Sequence, residues 1–187
     1  MSLLKSKILD VATDLFQTRG INSTGVDTIV AVAGTTKMTL YKHFGSKEDL
    51  ILEVLKSGHQ DFLSWIAEKL SAKKPNEKIF RLFDSIEEWV NNPNFRGVGF
   101  IKASAEFPNE ENAVHQLSSA QSRQFKQLIA GLAREAGVKE ADNLALQLSL
   151  LFEGAVQAEQ MKRGSGAMKY AKKAAKILID DALAESA

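Results

Sequence analysis

The chain has no cysteine in 187 residues. That removes disulfides, zinc ribbons, iron–sulfur clusters and thiol nucleophiles from consideration, and it fits the reducing cytoplasm, where the protein is expected to work. Proline is scarce too, with only Pro75, Pro93 and Pro108 to interrupt helices. No stretch reaches the roughly 20 apolar residues that a bilayer span needs, and Met1-Ser2-Leu3-Leu4-Lys5 leads straight into polar, helix-like sequence. The expectation is a protein neither exported nor embedded in a membrane. Charge of one sign is lacking as well: 24 Lys and Arg against 23 Asp and Glu leave a net +1, so any contact with nucleic acid must come from local clustering. The three histidines, His43, His59 and His115, lie far apart, and there is no His-Glu-x-x-His pair, phosphate loop or nucleophile elbow. His59 with Asp61 and His115 with Glu111 are the pairs that could converge on a metal, and both read more simply as solvated surface. The chain is therefore expected to be no enzyme and to need neither cofactor nor metal.

What is present is helical periodicity. With 44% hydrophobic and 25% charged residues, the chain is long enough to bury one or two cores. Apolar residues recur at steps of three and four, which predicts an all-α protein of about nine helices. Ile8, Val11, Ala12, Leu15 and Phe16 form one stripe, and Gly20 is placed as a left-handed C-terminal cap. Val26, Ile29, Val30 and Ala33 mark a short second helix ending at Gly34, with Asp27 where a helix N-terminus favours negative charge. Thr36 is a good N-cap for a third helix, Lys37 to Phe44, with Leu40 and Phe44 inward. Ser46 and Asp49 form a capping box for a long fourth helix to about Leu70. Further helices are expected over Glu77 to Asn91, Gly97 to Phe107, Asn112 to Ala136, Lys139 to Arg163 and Ala167 to Ala184. Leu144, Leu146, Leu148 and Leu150 alternate like a strand, but their unbranched neighbours and the continuation to Met161 favour helix.

Two short helices around a glycine turn are the geometry that sets a second helix in the major groove of DNA while the first crosses the backbone. From Thr35 to Lys47 there are Lys37, Lys42, Lys47 and His43, and no acid. The exposed side chains of the second helix are expected to be Lys37, Met38, Thr39, Tyr41, Lys42 and His43. Lysine reaches guanine acceptors or phosphate, and threonine and tyrosine hydroxyls donate to phosphate oxygens. Lys47, beside the free N–H groups at the start of the fourth helix, is expected to clamp a phosphate.

Ile8-Leu9-Asp10-Val11-Ala12, Leu15-Phe16, Gly20, Thr24-Gly25-Val26-Asp27-Thr28-Ile29, Ala33-Gly34 and Thr39-Leu40-Tyr41-Lys42-His43-Phe44-Gly45-Ser46-Lys47-Glu48-Asp49-Leu50 together resemble the DNA-binding domain of the tetracycline-repressor (TetR) family. The resemblance covers about the first 50 residues. It implies a homodimeric transcription regulator, a repressor released from a palindromic double-stranded DNA operator by a small hydrophobic effector. It also implies that Thr39, Tyr41, His43 and Lys47 contact phosphates, while Lys37, Met38 and Lys42 vary with operator sequence; Thr24 and Thr36 complete the expected DNA-contacting set. The family often has Val-Ser-Lys-Gly where this chain has Thr35-Thr36-Lys37-Met38, so Met38 replaces a small residue at the start of the recognition helix, where it could touch a thymine methyl.

Residues 1–46 are accordingly expected to form the DNA-binding domain, and 47–187 a helical effector-binding and dimerisation domain. Arg96-Gly97-Val98-Gly99-Phe100, Ala105-Glu106-Phe107-Pro108 and Leu151-Phe152-Glu153-Gly154-Ala155 resemble one branch of TetR C-terminal domains, with Val98 where that branch often has cysteine. Apolar residues surround the helix from Leu144 to Val156, and Ala167 to Ala182 offer a small-residue face. The expected dimer interface is Leu144, Leu148, Leu151, Ala155, Ala171, Ala174 and Leu178. Phe62, Trp65, Ile66, Phe83, Ile86, Trp89, Phe100, Ile101, Ser104 and Phe107 have the composition of an effector pocket. A dimeric DNA-binding adaptor or architectural protein without ligand response is the alternative, and an enzyme on a helical scaffold a remote one.

Overall fold

The computed structural model describes residues 2–71 and 73–186. Among them it holds nine α-helices and no strand: α1 Leu3–Arg19, α2 Val26–Ala33, α3 Lys37–Phe44, α4 Lys47–Leu70, α5 Pro75–Val90, α6 Gly99–Glu106, α7 Ala113–Glu135, α8 Ala141–Met161 and α9 Ala167–Ala184. No helix among the described residues is long and apolar enough to cross a membrane.

The start and stop signals act as their chemistry dictates. The Thr36 hydroxyl accepts the N–H of Thr39 at 3.2 Å, which caps α3. Ser46 Oγ accepts the N–H of Asp49 at 3.0 Å and donates to its carboxylate at 2.6 Å, which opens α4. Here the shorter Asp reaches the cap hydroxyl, where a Glu would reach the cap amide. Gly34, at φ 65° and ψ 43°, ends α2, and the N–H of Thr35 returns to the Val30 carbonyl at 3.0 Å, so the glycine turn of the helix-turn-helix is a Schellman closure. Gly20 takes φ 91° with ψ 155°, a positive-φ turn that is extended where a left-handed cap was expected. Between α8 and α9 the buried Glu159 closes the turn, accepting from the amides of Gly164 and Ala167 at 2.9 and 3.0 Å and from the Ser165 hydroxyl at 2.7 Å. Burial alone would raise its pKa; these hydrogen bonds outweigh it and hold the carboxyl below its ordinary value.

Compactness divides the chain differently from the 1–46 and 47–187 division drawn on the sequence. One unit comprises Met1–Asp61 and Val98–Gln121, the other Phe62–Gly97 and Ser122–Ala187. Thus α6 and the first residues of α7 pack with the N-terminal helices. In that unit Ile8, Ala12, Ile29, Leu40 and Leu50 form one core with Ala103 of α6 and Val114 of α7, all without exposed surface. In the second unit α9 packs on α8 and α5.

Candidate nucleic-acid interface

Leu40 and Phe44, four residues apart on α3, point into the core, and this fixes what the opposite side presents. Thr36, Lys37, Met38, Tyr41 and Lys42 are exposed, and Thr39, His43 and Lys47 are half-buried. Met38 is 80% exposed, an apolar side chain that no packing requirement of this chain explains. The hydroxyls of Thr36 and Thr39 lie 3.0 Å apart, so one proton joins the pair and the other stays available to an outside acceptor. Lys42 makes no ion pair among the described residues.

Two lysines are partly committed. Asp27 sits in the first turn of α2, as expected, and its carboxylate also reaches across to Lys37 Nζ at 2.8 Å, a hydrogen bond that raises the Lys37 pKa. Lys47 Nζ donates to the Ile21 carbonyl at 3.0 Å, which leaves two of its three N–H donors for a phosphate. Thr24 stands apart from the expected set. It is fully buried and its hydroxyl donates to the carbonyl oxygens of Gly20 at 2.7 Å and Leu15 at 3.4 Å, so it pins the turn before α2 and presents nothing outward. Val32 on α2 is exposed and escaped the sequence reading, although it falls off the Ile29, Val30 and Ala33 stripe.

The ten residues expected to line an effector pocket are divided between the units. Phe62, Trp65, Ile66, Phe83, Ile86 and Trp89 lie in the second, and Phe100, Ile101, Ser104 and Phe107 in the first. In the second unit Phe62 stands at the centre of a ring cluster, with centroids 4.9 Å from Trp89, 5.7 Å from Phe125 and 6.3 Å from both Trp65 and Phe152. Ser85 Oγ and Gln160 Nε2 in the same unit are buried with no hydrogen-bond partner among the described residues, and neither was singled out from sequence. A cavity of about 890 Å³ beside α5 and α9 includes Phe83 in its lining. Its wall is charged: Lys172 there is held by Asp84 at 3.1 Å and Glu87 at 2.5 Å. In the first unit Ser104 Oγ is spent on the Ile101 carbonyl at 3.0 Å, and His115 Nδ1 lies 2.7 Å from the Phe107 carbonyl oxygen. No group of three or more potential metal ligands occurs among the described residues.

The residues expected at the dimer interface differ in exposure. Leu144, Leu148 and Ala155 of α8 and Ala171 of α9 are buried within their own chain, while Leu151, Ala174 and Leu178 are half-buried. The exposed apolar side chains of these helices are Leu146, Leu150 and Met161 on α8 and Tyr170 and Ile177 on α9.

Comparison with known proteins agrees with this arrangement. Residues 8–54 match the family model described as bacterial regulatory proteins, tetR family. The chain is 38% identical over 78 residues to the transcriptional regulator QacR of Staphylococcus aureus, covering 41% of this chain and 42% of that one. It is 36% identical over 84 residues to the transcriptional repressor KstR2 of Mycolicibacterium smegmatis, covering 42% of this chain and 39% of that one. The matches thus span about two-fifths of those relatives. Over the whole length, the crystal structure of SCO4454, a TetR-family transcriptional regulator from Streptomyces coelicolor, superposes with a TM-score of 0.91 at 26% identity, covering 96% of each chain. A DNA-binding segment over residues 8–54 that matches the tetR family of bacterial regulatory proteins thus sits on a chain whose fold is similar, over nearly its full length, to that of a TetR-family transcriptional regulator.

Proposed function

We propose that the protein is a sequence-specific DNA-binding transcription regulator acting in the cytoplasm: a homodimer that grips a palindromic operator through α3 and leaves it when a small hydrophobic effector binds. The observation that carries this reading is the outward face of α3. Met38, Tyr41 and Lys42 are exposed there on a helix whose other side is locked by Leu40 and Phe44. Such a face offers an apolar contact for a thymine methyl and donors for phosphates and base edges.

Dimerisation is supported by the unpartnered leucines of α8 and by the charge order of α9. Lys169 and Lys173 are exposed in the first half of α9, and Asp181 and Glu185 are exposed in its second half and at its end, whereas Lys172 and Lys176 are paired within the chain. Two copies related by a two-fold axis with their α9 helices antiparallel would lay each basic half against an acidic one. The aromatic cluster around Phe62, in a unit that also buries the unpartnered Ser85 Oγ and Gln160 Nε2, supports an apolar effector site.

The test is selection of bound fragments from genomic DNA by the wild-type protein and by Lys42→Glu. The wild type should enrich fragments sharing an inverted repeat, and the variant should enrich none. Wild-type protein that enriches no sequence contradicts the proposal.

A further inference from the structure

The turn that sets the helix-turn-helix is held by a residue 84 positions downstream. Gly20, Ile21 and Asn22 follow the end of α1, where the chain leaves the helix at positive φ. The Gly20 N–H is held by the Phe16 carbonyl at 3.1 Å, and the next two amides, of Ile21 and Asn22, are left to bind an anion. The carboxylate of Glu106, the last residue of α6, is that anion: Oε1 accepts from the Ile21 N–H at 2.9 Å and Oε2 from the Asn22 N–H at 2.7 Å. The contact is returned, because Asn22 Nδ2 donates to the Glu106 carbonyl at 3.0 Å. One turn earlier on α6, Lys102 Nζ donates to the Gln17 carbonyl at 3.0 Å, so the same helix also grips the end of α1. Gly20 is needed for its φ of 91°, while a Cβ there would lie in ordinary contact with the Glu106 carboxylate, at 3.4 Å.

The far side of the same peptide segment meets the DNA-facing residues. The Ile21 carbonyl accepts from Lys47 Nζ at 3.0 Å, so Glu106 pulls on the N–H of Ile21 while Lys47 is seated on its C=O. We propose that Glu106 is a positioning residue for operator binding: by clamping the Ile21 and Asn22 amides it fixes the α1–α2 turn, and through the Ile21 carbonyl the ammonium of Lys47. This rests on the DNA-binding reading above. Glu106 touches no DNA in this role. It narrows the orientations that the turn and Lys47 sample, and affinity falls with the fraction of molecules in the competent one.

The experiment uses the full-length chain and an operator fragment chosen by the wild type. Binding is measured over a range of salt for wild type, Glu106→Gln and Glu106→Ala, with the active fraction counted by stoichiometric titration and folding followed by thermal melting. Glu106→Gln keeps the shape but turns an amide toward an N–H donor, so it serves if the alanine variant does not fold. Operator affinity should drop by about five- to a hundredfold, the usual range for coupling between sites. The salt slope should stay within a fraction of one charge of the wild type, because no phosphate contact is removed from the protein's reach. The active fraction should remain full, which a merely unfolded population would not show. Glu106→Gln protein that is folded and binds with wild-type affinity or tighter overturns the proposal, as does a loss confined to the active fraction. Wild-type protein that selects no operator removes the DNA-binding reading itself, and this proposal with it.

Discussion

Asp27 and Lys37 face each other across the helix-turn-helix, and in the proposed operator complex each changes what the other offers to DNA. Lys37 lies on the helix proposed to read DNA, yet its charge is matched by a carboxylate 2.8 Å away. An exposed pair of this kind contributes little to stability, so its weight falls on recognition: Asp27 discourages Lys37 from settling on any phosphate it meets. Asp27→Asn should therefore tighten binding to unrelated DNA and steepen the salt dependence by up to about two charges per dimer. Anisotropy titrations with scrambled duplex at several salt concentrations check this; an unchanged slope would mean that Lys37 does not reach the backbone. The sequence showed both residues but not their pairing. Asp27 read as a helix N-terminal charge because that local role needs no knowledge of where α3 returns. The same limit explains Thr24, whose hydroxyl is drawn inward by carbonyls at the end of α1. Glu106 was beyond reach for a stronger reason: its partners lie 84 and 85 residues away, and no local pattern encodes a contact of that span.

Helix existence and bounds were largely legible, since caps and glycine stops are local chemistry, and α9 was placed at its observed ends. The orientation of α8 was not. A helix apolar all round gives no preferred face, and the alternating leucines are offset by about 200° per step of two residues on a helix. Leu144 and Leu148 therefore face inward while Leu146 and Leu150, on the other side, face out. This reverses the expectation for mutants. Leu148 has no exposed surface and Leu150 is 61% exposed. Leu148→Glu buries an unpaired carboxylate and should destabilise the chain itself by several kcal/mol, roughly. Leu150→Glu should leave melting of the isolated chain nearly unchanged but shift the protein from dimer to monomer. Sedimentation of the two variants separates the cases, and a Leu150→Glu protein that remains dimeric would place the interface elsewhere.

At the scale of the molecule, the compact units cut across the functional division read from the motif. A boundary at residue 46 follows where the family resemblance fades, whereas packing carries the first unit through Asp61 and brings in Val98–Gln121. The aromatic residues grouped as one pocket were chosen by composition, which does not record that Phe62 and Trp89 share a cluster while Phe100 and Phe107 belong to the other unit. The bounds and inward face of α3 were legible because their determinants, Thr36 to Ser46, sit in consecutive turns and carry their own caps. The central claim is that two copies of α3 read one duplex, and hydroxyl-radical footprinting of a selected fragment tests it most directly. Two protected half-sites related by a two-fold axis are expected, with centres about one helical turn apart or a little more, and loss of both in Lys42→Glu. A single uninterrupted footprint without two-fold symmetry, or one that Lys42→Glu leaves intact, would contradict it.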